Sequence, residues 1–522
     1  MALATFLLTL IWFIVELLLN DVLFGLFLRL RINDMIKKVM KMRNPRNYSM
    51  LTDAYEFMMA DAYLLNGKKD LRAVFDVFFR EIPNHGGYAV MAGLDKVIDY
   101  IQNLSFTTDD LKYLKSLGLS KEYLDYLSDF RFTGNLYAIP DGTPVFPNEP
   151  LITIEAPILE AQIVETAILS MINGSMEHAT GARRILDATP ENVRVMEFGA
   201  RRADGQEAAI DASIYALMAG CHGTSNVQAA KMYGLKALGT MAHSFVETFE
   251  SEYEAFLAFA LRYPDNCLLL VDTYDTLRSG VPNAIKVFEY MRDHDMPLDH
   301  IGIRIDSGDL AYLSKEARKM MDQAGFEMAT ICLSNSLTAE VILSLRLQDA
   351  KFNSLGVGDN ISKPEGRMGC VYKEVAIIEN GKVIPKIKLS NDIIKIVNPA
   401  YKCLYRAFDK DSGYAIADIV CEREEKLPEE QMLITSLSHF EKSTVIKNYE
   451  LEPLQKEIFR DGNCVYEQPD LKQKADYCLK QVNRLYPEVR RIVNPHEYYV
   501  DGSEKYIELK KKMIKEAGKR NV

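Results

Sequence analysis

The feature that most restricts the fold of this chain is an alternation of short apolar segments with longer helical patterns, from about Val193 to Tyr405. Six of the short segments predict strands: VRVMEF, KALGTMA, CLLLVDT, HIGIRID, ATICLS and FNSLGVG. Such alternation is typical of parallel β-α-β units, which either close into a barrel or form an open sheet. In both arrangements ligands bind at the carboxyl ends of the strands.

Five of these predicted strands are followed by turns rich in charged, polar or small residues. FGARR follows the first strand, AHS the second, DTYDT the third, DSGD the fourth and GVGD the last. Because the carboxyl ends of parallel strands lie at one edge of a sheet, we expect these turns to contribute to a common site.

The remainder of the chain predicts further α and β structure around this core. Thr52–Leu65 predicts a helix that begins at Thr52 or Asp53, and Ala73–Phe79 predicts a strand. The length of 522 residues requires more than one domain. We therefore expect an α/β protein with three parts: an N-terminal α/β lobe (48–180), an irregular parallel α/β barrel (181–408) and a helix-leaning C-terminal subdomain (409–522).

Residues 1–47 do not fit a globular domain. Ala2–Leu28 is almost entirely apolar, and ~20 apolar residues suffice to cross a bilayer. Glu16 and Asp21 interrupt this stretch, and an Asp near a helix centre costs roughly 2.5–3.5 kcal/mol of insertion free energy. Two interpretations remain open: a membrane contact made only through residues 1–30, and an extraneous extension that arises from an upstream start codon.

The composition restricts the classes of partner. The formal net charge is −11, which argues against a nucleic-acid partner because such a partner requires a basic face. Local arginines and backbone amides can still bind anionic small molecules in an acidic protein. The eight cysteines occur singly, with no CxxC pair and none at zinc-binding spacing from a histidine. We therefore expect reduced, buried thiols in a cytoplasmic protein.

Two of the turns carry residue types that bind anions. Arg201 and Arg202 follow a glycine at a strand end, where guanidinium groups bind carboxylate or phosphate; a surface ion pair is the structural alternative. Arg304 and Asp306 are two residues apart on one strand and so face the same side. Ser307-Gly308-Asp309 then opens a helix, and the first amides of that helix form an anion site.

Two other turns carry residues with both a functional and a structural interpretation. Gly356-Val357-Gly358-Asp359 lets backbone amides approach a phosphate, although a structural tight turn is equally common. His243 lies among small residues after a predicted strand, where an accessible imidazole can accept a phosphoryl group. A histidine satisfied by structural hydrogen bonds is the alternative. The chain contains no GxxxxGK[ST] loop, so the binding of ATP requires a different anchor.

Seven motifs, in this order, resemble those of nicotinate phosphoribosyltransferases: TDAYEFMMA, NHGGYAVMAGLDKVIDYI, EFGARRADG, GTMAHSFVETFESEYEAF, LLVDTYDTLRSGVPNAI, GIRIDSGDLAYLSKEARKMMDQAGF and PKIKLSNDIIKIVNPAYKCLYR. The resemblance extends from about Tyr48 to Arg406 and continues more loosely beyond. It implies the formation of nicotinate mononucleotide, the first step of NAD salvage from nicotinate. It also implies nicotinate, phosphoribosyl pyrophosphate and ATP as substrates, Mg²⁺ with no ligand assigned, and a homodimer.

The resemblance assigns roles to residues at matching positions. His243 corresponds to the transiently phosphorylated histidine, and Asp306 to a residue that positions ribose or metal. The pyridine ring and the substrate oxygens are assigned to Tyr55, Phe198, Arg201, Thr240 and Arg304. The 5′-phosphate is assigned to the GVGD turn, hence to Gly356, Gly358 and Asp359. DTYDT lacks the adjacent acids of the pyrophosphate loop common among phosphoribosyltransferases, so no role is assigned to it.

One position bears on the choice of substrate. Related nicotinamide enzymes carry an acidic residue where GCHGTSNV has Ser225, so this chain is expected to prefer the nicotinate carboxylate. A nicotinamide phosphoribosyltransferase is therefore the nearest alternative, whereas quinolinate enzymes are much shorter and need further basic residues. A catalytically inactive, membrane-tethered metabolite-binding protein is the alternative from another class, and only the N-terminal segment favours it.

Overall fold

The computed structural model describes residues 47–389 and 396–519. The apolar N-terminal segment, and with it the question of a membrane contact, lies outside the described residues. From Tyr48 onward the chain forms one compact unit. None of the helices in the described ranges is both long enough and apolar enough to cross a membrane.

The first part of this unit contains six helices and five strands. The helices are α1 (Ala54–Leu65), α2 (Leu94–Asn103), α3 (Thr108–Ser116), α4 (Lys121–Ser128), α5 (Ile158–Gln162) and α6 (Glu165–Ala188). The strands are β1 (Arg72–Phe78), β2 (Ala89–Val90), β3 (Asn135–Ala138), β4 (Pro144–Val145) and β5 (Ile152–Pro157). The predicted first helix and first strand are thus confirmed within one or two residues, with Asp53 at the N-cap position of α1.

The central part forms a six-stranded, fully parallel sheet. Its strands are β6 (Arg194–Glu197), β7 (Gly223–Thr224), β8 (Cys267–Leu270), β9 (Ile301–Ile305), β10 (Thr330–Ser334) and β11 (Ser354–Val357). Their spatial order is β7-β6-β11-β10-β9-β8, and every neighbouring pair is parallel. The sheet curls into an open half-barrel, which confirms the predicted parallel α/β architecture.

The helices of the central part lie between and beside these strands. They are α7 (Gln206–Ala219), α8 (Val227–Met232), α9 (His243–Glu247), α10 (Glu252–Arg262), α11 (Val281–Asp293), α12 (Leu310–Gln323), α13 (Ala339–Leu347) and α14 (Asp359–Ser362). In α12 the buried side chains recur at helical spacing, at Leu310, Ser314, Ala317 and Met321. The Asp309 carboxylate accepts the Tyr312 amide and so fixes where α12 begins.

One predicted strand of the half-barrel is wrong. KALGTMA, residues 236–242, forms no strand, and the edge position beside β6 belongs to the short β7. The backbone N–H of Leu238 donates to Thr224 O at 2.9 Å, and the Leu238 side chain packs against the space left by Gly223. The segment therefore crosses the edge of the sheet without continuing the ladder.

The described residues of the last part of the chain form ten strands and two helices. The strands are β12 (Val371–Glu379), β13 (Lys382–Pro385), β14 (Lys402–Asp409), β15 (Ala415–Glu422), β16 (Gln431–Ser436), β17 (Ser443–Lys447), β18 (Tyr449–Pro453), β19 (Lys456–Arg460), β20 (Asn463–Cys464) and β21 (Val500–Ser503). The helices are α15 (Leu471–Asn483) and α16 (Glu504–Lys519). Residues 415–464 are thus richer in strand than the expected helix-leaning pattern. Within this range β16 shows the alternating burial that is typical of a strand with one face on the core.

These strands complete two further sheets. A seven-stranded sheet has the order β13-β12-β1-β5-β3-β19-β20, and a six-stranded sheet has the order β17-β16-β21-β15-β14-β18. The seven-stranded sheet combines segments from all three predicted parts of the chain. The predicted boundaries after residues 180 and 408 stay predictions.

Candidate active site

A cleft lies at the carboxyl ends of β6, β9, β10 and β11. Its lining includes seven of the predicted site residues: Phe198, Arg201, Arg304, Asp306, Gly356, Gly358 and Asp359. The other lining residues are Arg202, Ser334, Asn335, Ser336, Leu337 and Asn360. Three of the five predicted turns, FGARR, DSGD and GVGD, therefore contribute residues to this cleft, whereas AHS and DTYDT do not line it.

Arg304 and Asp306 form the polar centre of this cleft. The Arg304 guanidinium donates from Nη2 to Asp306 Oδ1 at 2.7 Å and from Nε to Ser334 Oγ at 2.8 Å. The Ser334 hydroxyl in turn donates to Asp306 Oδ1. The three side chains hold one another in place, so an arginine and a carboxylate are preorganised side by side at the carboxyl end of β9.

The Phe198 ring forms an apolar wall of the cleft. The Arg304 guanidinium lies 5.7 Å from the centre of this ring, within cation–π range. A Cβ atom on Gly356 would meet the ring at 2.6 Å, so only glycine at this position admits the observed ring position. A Cβ on Gly199 would meet Gly358 O at 2.6 Å, which shows how closely the two turns approach. The glycines therefore allow the Phe198 ring and the GVGD turn to approach each other closely.

Glu197, which the sequence did not single out, anchors the turn that carries Phe198. Its buried carboxylate accepts the Gly199 amide, and it also accepts the hydroxyls of Ser213 and Thr224. Ser225 donates its backbone N–H to Glu197 O at 3.0 Å, so Ser225 lies at the end of β7 beside this turn. Ser225 is half-buried and does not line the described cleft.

The two arginines of FGARR differ in their contacts. Arg202 forms an ion pair with Asp359, with Nε 3.3 Å from Oδ1, whereas Arg201 is exposed at the cleft. The structural interpretation therefore applies to Arg202, which links the FGARR and GVGD turns. The binding role of Arg201 stays a prediction.

The DTYDT segment contributes to the site as its strand-end position predicted, although no specific role was assigned to its residues. Asp272 Oδ2 accepts the Asp306 amide at 3.0 Å and the Ser307 hydroxyl at 2.6 Å. Its other oxygen, Oδ1, is buried and has no hydrogen-bond partner among the described residues. Gly308 has φ +79°, the left-handed region that favours glycine, and so completes the turn beside this carboxylate.

His243 begins the short helix α9 and is half-buried. Its Nδ1 lies 3.1 Å from Thr273 Oγ1, and the two atoms share a hydrogen bond. Thr273 is the neighbour of Asp272 in the chain, so DTYDT joins the histidine to the Asp306–Ser307 turn. Adjacent Thr240 is half-buried, and its hydroxyl donates to Met241 O at 3.3 Å. Neither His243 nor Thr240 lines the cleft described above.

Tyr55 lies apart from these residues within the chain. It projects from α1 with 44% of its surface exposed and does not line the cleft. Burial of part of the ring and the neighbouring Glu165 carboxylate raise the pKa of the Tyr55 hydroxyl. One chain therefore assembles most of the predicted site without this aromatic residue.

The loop after β10 is the main part of the cleft that the sequence did not reveal. Asn335 and Ser336 have φ of +92° and +46°, in the left-handed region that non-glycine residues rarely adopt. Asn360 donates from Nδ2 to Leu337 O at 2.8 Å and so ties this loop to the turn after β11. Backbone strain of this kind is concentrated at functional sites. The available signal was the polar Ser-Asn-Ser run at the end of a predicted strand.

Three family descriptions match successive parts of the chain. The nicotinate phosphoribosyltransferase N-terminal domain matches residues 50–173, the nicotinate phosphoribosyltransferase family matches 193–409, and the C-terminal domain of these enzymes matches 401–510.

The chain is also similar to individual proteins over most of its length. A nicotinate phosphoribosyltransferase of Bacillus subtilis is 39% identical over 460 residues, which cover 87% of this chain and 93% of that protein. A nicotinate phosphoribosyltransferase of Caenorhabditis elegans is 34% identical and covers 87% of this chain and 91% of its own. The crystal structure of human nicotinic acid phosphoribosyltransferase superposes with a TM-score of 0.77 at 27% identity. It covers 88% of this chain and 99% of its own. The chain therefore belongs to the nicotinate phosphoribosyltransferase family.

Proposed function

We propose that this enzyme joins nicotinate to the ribose of phosphoribosyl pyrophosphate, and that it couples this transfer to hydrolysis of ATP through His243. The products are nicotinate mononucleotide, pyrophosphate, ADP and phosphate. The observation that carries the proposal is the cleft itself. It combines an aromatic wall at Phe198, an arginine and carboxylate pair at Arg304 and Asp306, and two glycine turns, in a member of this family.

The residues of the cleft divide into two groups by chemistry. Phe198 and Arg304 offer a ring face and a cation to a planar, anionic pyridine, and Arg201 offers a further cation. The GVGD turn, with Gly356, Gly358 and Asp359, and the Ser307-Gly308 turn offer backbone amides to phosphate groups. Departure of pyrophosphate builds positive charge at the anomeric carbon, which the ring nitrogen attacks. The main contribution of the chain is then alignment of the two reactants.

Asp272 and Asp306 are the residues that would hold Mg²⁺. Among the described residues no group of three or more His, Cys, Asp or Glu side chains could hold a metal ion. Mg²⁺ in phosphoryl sites commonly uses one or two carboxylates together with substrate phosphates, so two adjacent aspartates fit it. The buried, unpartnered Asp272 Oδ1 supports this assignment. When bound, Mg²⁺ supplies positive charge that neutralises pyrophosphate.

His243 is proposed to accept the γ-phosphoryl group of ATP and later to release it to water. The contact between Nδ1 and Thr273 supports this role, because a partner on one ring nitrogen orients the imidazole and leaves Nε2 for chemistry. Hydrogen bonds connect His243 to Thr273 and Ser307 to Asp272, and Thr273 and Asp272 are neighbours in sequence. The histidine is thereby linked structurally to the proposed phosphate and metal residues. Phosphorylation of His243 would therefore strengthen the binding of phosphoribosyl pyrophosphate.

Preference for nicotinate over nicotinamide is proposed to depend on Ser225. This residue lies beside the Phe198 turn and is neutral, so it does not repel a carboxylate on the ring. Comparable kcat/KM values for nicotinate and nicotinamide would contradict this assignment.

A homodimer and a cytoplasmic location belong to the same proposal. Tyr55 lies outside the cleft of its own chain, on a surface that also exposes Leu51, Met58 and Met59. A second copy that covers this apolar surface would bring Tyr55 to a cleft and complete the set of ring-binding residues. Both phosphorylated co-substrates are metabolites of the cell interior, which supports a cytoplasmic enzyme.

Pyrophosphate release by the purified full-length chain tests the proposed reaction. With phosphoribosyl pyrophosphate, ATP and Mg²⁺ present, we expect release that depends on added nicotinate, with nicotinate mononucleotide formed in equal amount. Nicotinamide in place of nicotinate is the matched control and should support little turnover. Absence of nicotinate-dependent release from folded protein would favour the binding-protein alternative.

A further inference from the structure

Two cysteines lie directly opposite each other in the C-terminal six-stranded sheet. Cys403 on β14 pairs in register with Cys421 on the antiparallel β15. Side chains of directly opposed residues project from the same face of a sheet. The two Sγ atoms are 3.4 Å apart, close enough for one thiol to donate a weak hydrogen bond to the other.

The two thiols have different surroundings. Cys403 is half-buried, and its Sγ lies 3.7 Å from Glu422 O and 4.0 Å from Arg423 O. Cys421 is fully buried, with its Sγ 4.0 Å from Cys403 O. Cys403 is thus the more exposed cysteine of the pair, and Cys421 is the buried one.

The charges around the pair favour ionisation of the outer thiol. The hydrogen bond from Cys421 lowers the pKa of Cys403, and the Arg423 guanidinium adds to this effect, whereas burial and the Glu425 carboxylate oppose it. The pKa of Cys421 is raised, first by its hydrogen bond with Cys403 and then by burial. Tyr405 also faces Cys403. A more acidic, reachable thiol beside a less acidic, buried one is the arrangement of an attacking and a resolving cysteine.

The remaining cysteines lack this arrangement. Cys221, Cys267, Cys332, Cys370 and Cys478 are buried, and Cys464 is half-buried with a carbonyl, Tyr466 O, as the neighbour of its sulfur. Within the described residues, none of these six sulfurs has a second sulfur as a hydrogen-bond partner. Cys464 therefore serves as a matched control of similar exposure.

We infer that Cys403 and Cys421 form a reversible intramolecular disulfide, so that this sheet carries a redox-modification site separate from the active-site cleft. The oxidant is a small-molecule disulfide such as oxidised glutathione. The Cys403 thiolate attacks one sulfur of the oxidant, forms a mixed disulfide and releases one thiolate. Cys421 then loses its proton and attacks Cys403 Sγ, which releases the second thiolate. The protein loses two electrons and two protons, and the oxidant becomes two thiols.

The location gives the cross-link a structural consequence. β14 and β15 also carry the buried pair of Arg406 and Asp418, three residues along each strand from the cysteines. A covalent bond between Cys403 and Cys421 would hold this strand pair together at one end. The oxidised enzyme should therefore resist thermal unfolding of the C-terminal sheet better than the reduced enzyme.

Mass spectrometry of the full-length native enzyme tests the inference. The protein is incubated with oxidised glutathione, alkylated without reduction and digested. We expect a peptide pair joined between Cys403 and Cys421, two hydrogens lighter than the reduced peptides, and regeneration of both thiols by dithiothreitol. Recovery of both cysteines as alkylated thiols, or of Cys403 as a lasting glutathione adduct, would overturn the inference.

Two variants separate the proposed resolving step from general thiol reactivity. Cys421→Ser should convert the product into a stable mixed disulfide between glutathione and Cys403, because no resolving thiol remains. Cys464→Ser should form the Cys403–Cys421 bond as the unmodified chain does. Formation of a Cys403-linked disulfide to any other cysteine in folded Cys421→Ser would contradict the assignment of Cys421. The wild-type experiment decides the inference even if a variant fails to fold.

Discussion

Asp272 connects the segment that contacts His243 to the turn that contains Asp306 and Ser307. One carboxylate oxygen holds the Asp306 amide and the Ser307 hydroxyl, and the other is buried without a hydrogen-bond partner among the described residues. A buried, uncompensated carboxylate oxygen is costly unless a ligand or cation satisfies it. The proposed Mg²⁺ would satisfy this oxygen.

Replacement of Asp272 by Asn tests this role. The amide keeps the shape of the side chain but removes the charge, so we expect activity at limiting Mg²⁺ to fall about 10–100-fold. Titration of the reaction rate with Mg²⁺ measures the effect, and a raised half-saturating concentration is the expected signature. Asp299→Asn, at an exposed position, should leave the titration unchanged. Equal Mg²⁺ dependence in both variants would exclude Asp272 from the metal site.

Glu56 gives the fold a predictable dependence on pH. The residue is fully buried on α1, accepts the Thr166 hydroxyl, and burial raises its pKa to about 7. Because the folded state binds this proton more tightly than the unfolded state, the stabilisation is complete below the unfolded pKa of 4.5. It is lost as the pH rises through the folded pKa of about 7.

Glu56→Gln should remove this dependence because glutamine keeps the hydrogen bond without the charge. At about pH 8 we expect the variant to exceed the wild type in unfolding free energy by an amount on the order of 3 kcal/mol. Near pH 4.5 the difference should approach zero. Urea denaturation at both pH values measures it, and a difference that does not change with pH would refute the assignment to Glu56.

At the scale of elements, β11 fixes the aromatic wall of the cleft. Gly356 in this strand leaves the space that the Phe198 ring occupies. Gly356→Ala should displace the ring and raise the KM for nicotinate by roughly 10-fold, since a shift of 1.4 kcal/mol has that effect on affinity. The KM for phosphoribosyl pyrophosphate should change much less.

Steady-state kinetics with each substrate varied in turn measures the two KM values. Gly369→Ala is the control, because a Cβ atom there would meet nothing within 4 Å. An unchanged KM for nicotinate in Gly356→Ala would mean that Phe198 does not contact the pyridine ring of nicotinate.

The strand elements show what the sequence could predict and what it could not. Long apolar runs such as CLLLVDT and HIGIRID have the period and composition of buried parallel strands, and they form β8 and β9. KALGTMA has a similar composition but lies at the sheet edge, where the two-residue β7 takes the pairing position. Apolar content alone does not distinguish these cases, because the choice depends on which segment reaches β6.

Some of the site residues could likewise be predicted from the sequence, and others could not. The strand-end rule located Phe198, Arg304, Asp306 and Gly358 because polar or glycine residues there follow unmistakable strands. The same position at a strand end placed DTYDT among the expected turns, but no role was assigned to Asp272 because the segment lacks the adjacent acids of the pyrophosphate loop. The Asn335–Ser336 loop depends on left-handed backbone conformations, for which the Ser-Asn-Ser run is only a weak signal because non-glycine residues rarely adopt them.

At the scale of the molecule, buried charge links segments that are far apart in sequence. Arg406 on β14 donates to both Asp418 oxygens, at 2.8 and 2.6 Å, and to Pro144 O at 2.9 Å. Its Nη2 also lies 3.9 Å from Glu149 Oε1. One guanidinium therefore joins the C-terminal sheet to the turn after β4. Local periodicity does not reveal such contacts, because they connect residues more than 250 positions apart.

Arg406→Met should be strongly destabilising. It leaves the Asp418 and Glu149 carboxylates buried without their cation, which typically costs about 3–5 kcal/mol. The unfolding free energy from urea titration measures the loss. Arg292→Met, which removes a half-exposed ion pair with Asp293, should cost less than about 1 kcal/mol. Similar losses in the two variants would show that the buried cation does not join the two parts of the molecule.

The coupling of ATP hydrolysis to product formation tests the central claim most directly. Full-length wild-type enzyme and His243→Ala are compared with nicotinate, phosphoribosyl pyrophosphate, Mg²⁺ and ATP, while ADP and nicotinate mononucleotide are measured together. We predict one ADP for each nicotinate mononucleotide in the wild type. In folded His243→Ala we predict slower, uncoupled synthesis, with ADP formation no longer stimulated by nicotinate. A His243→Ala enzyme that retains stoichiometric ADP formation would contradict the account.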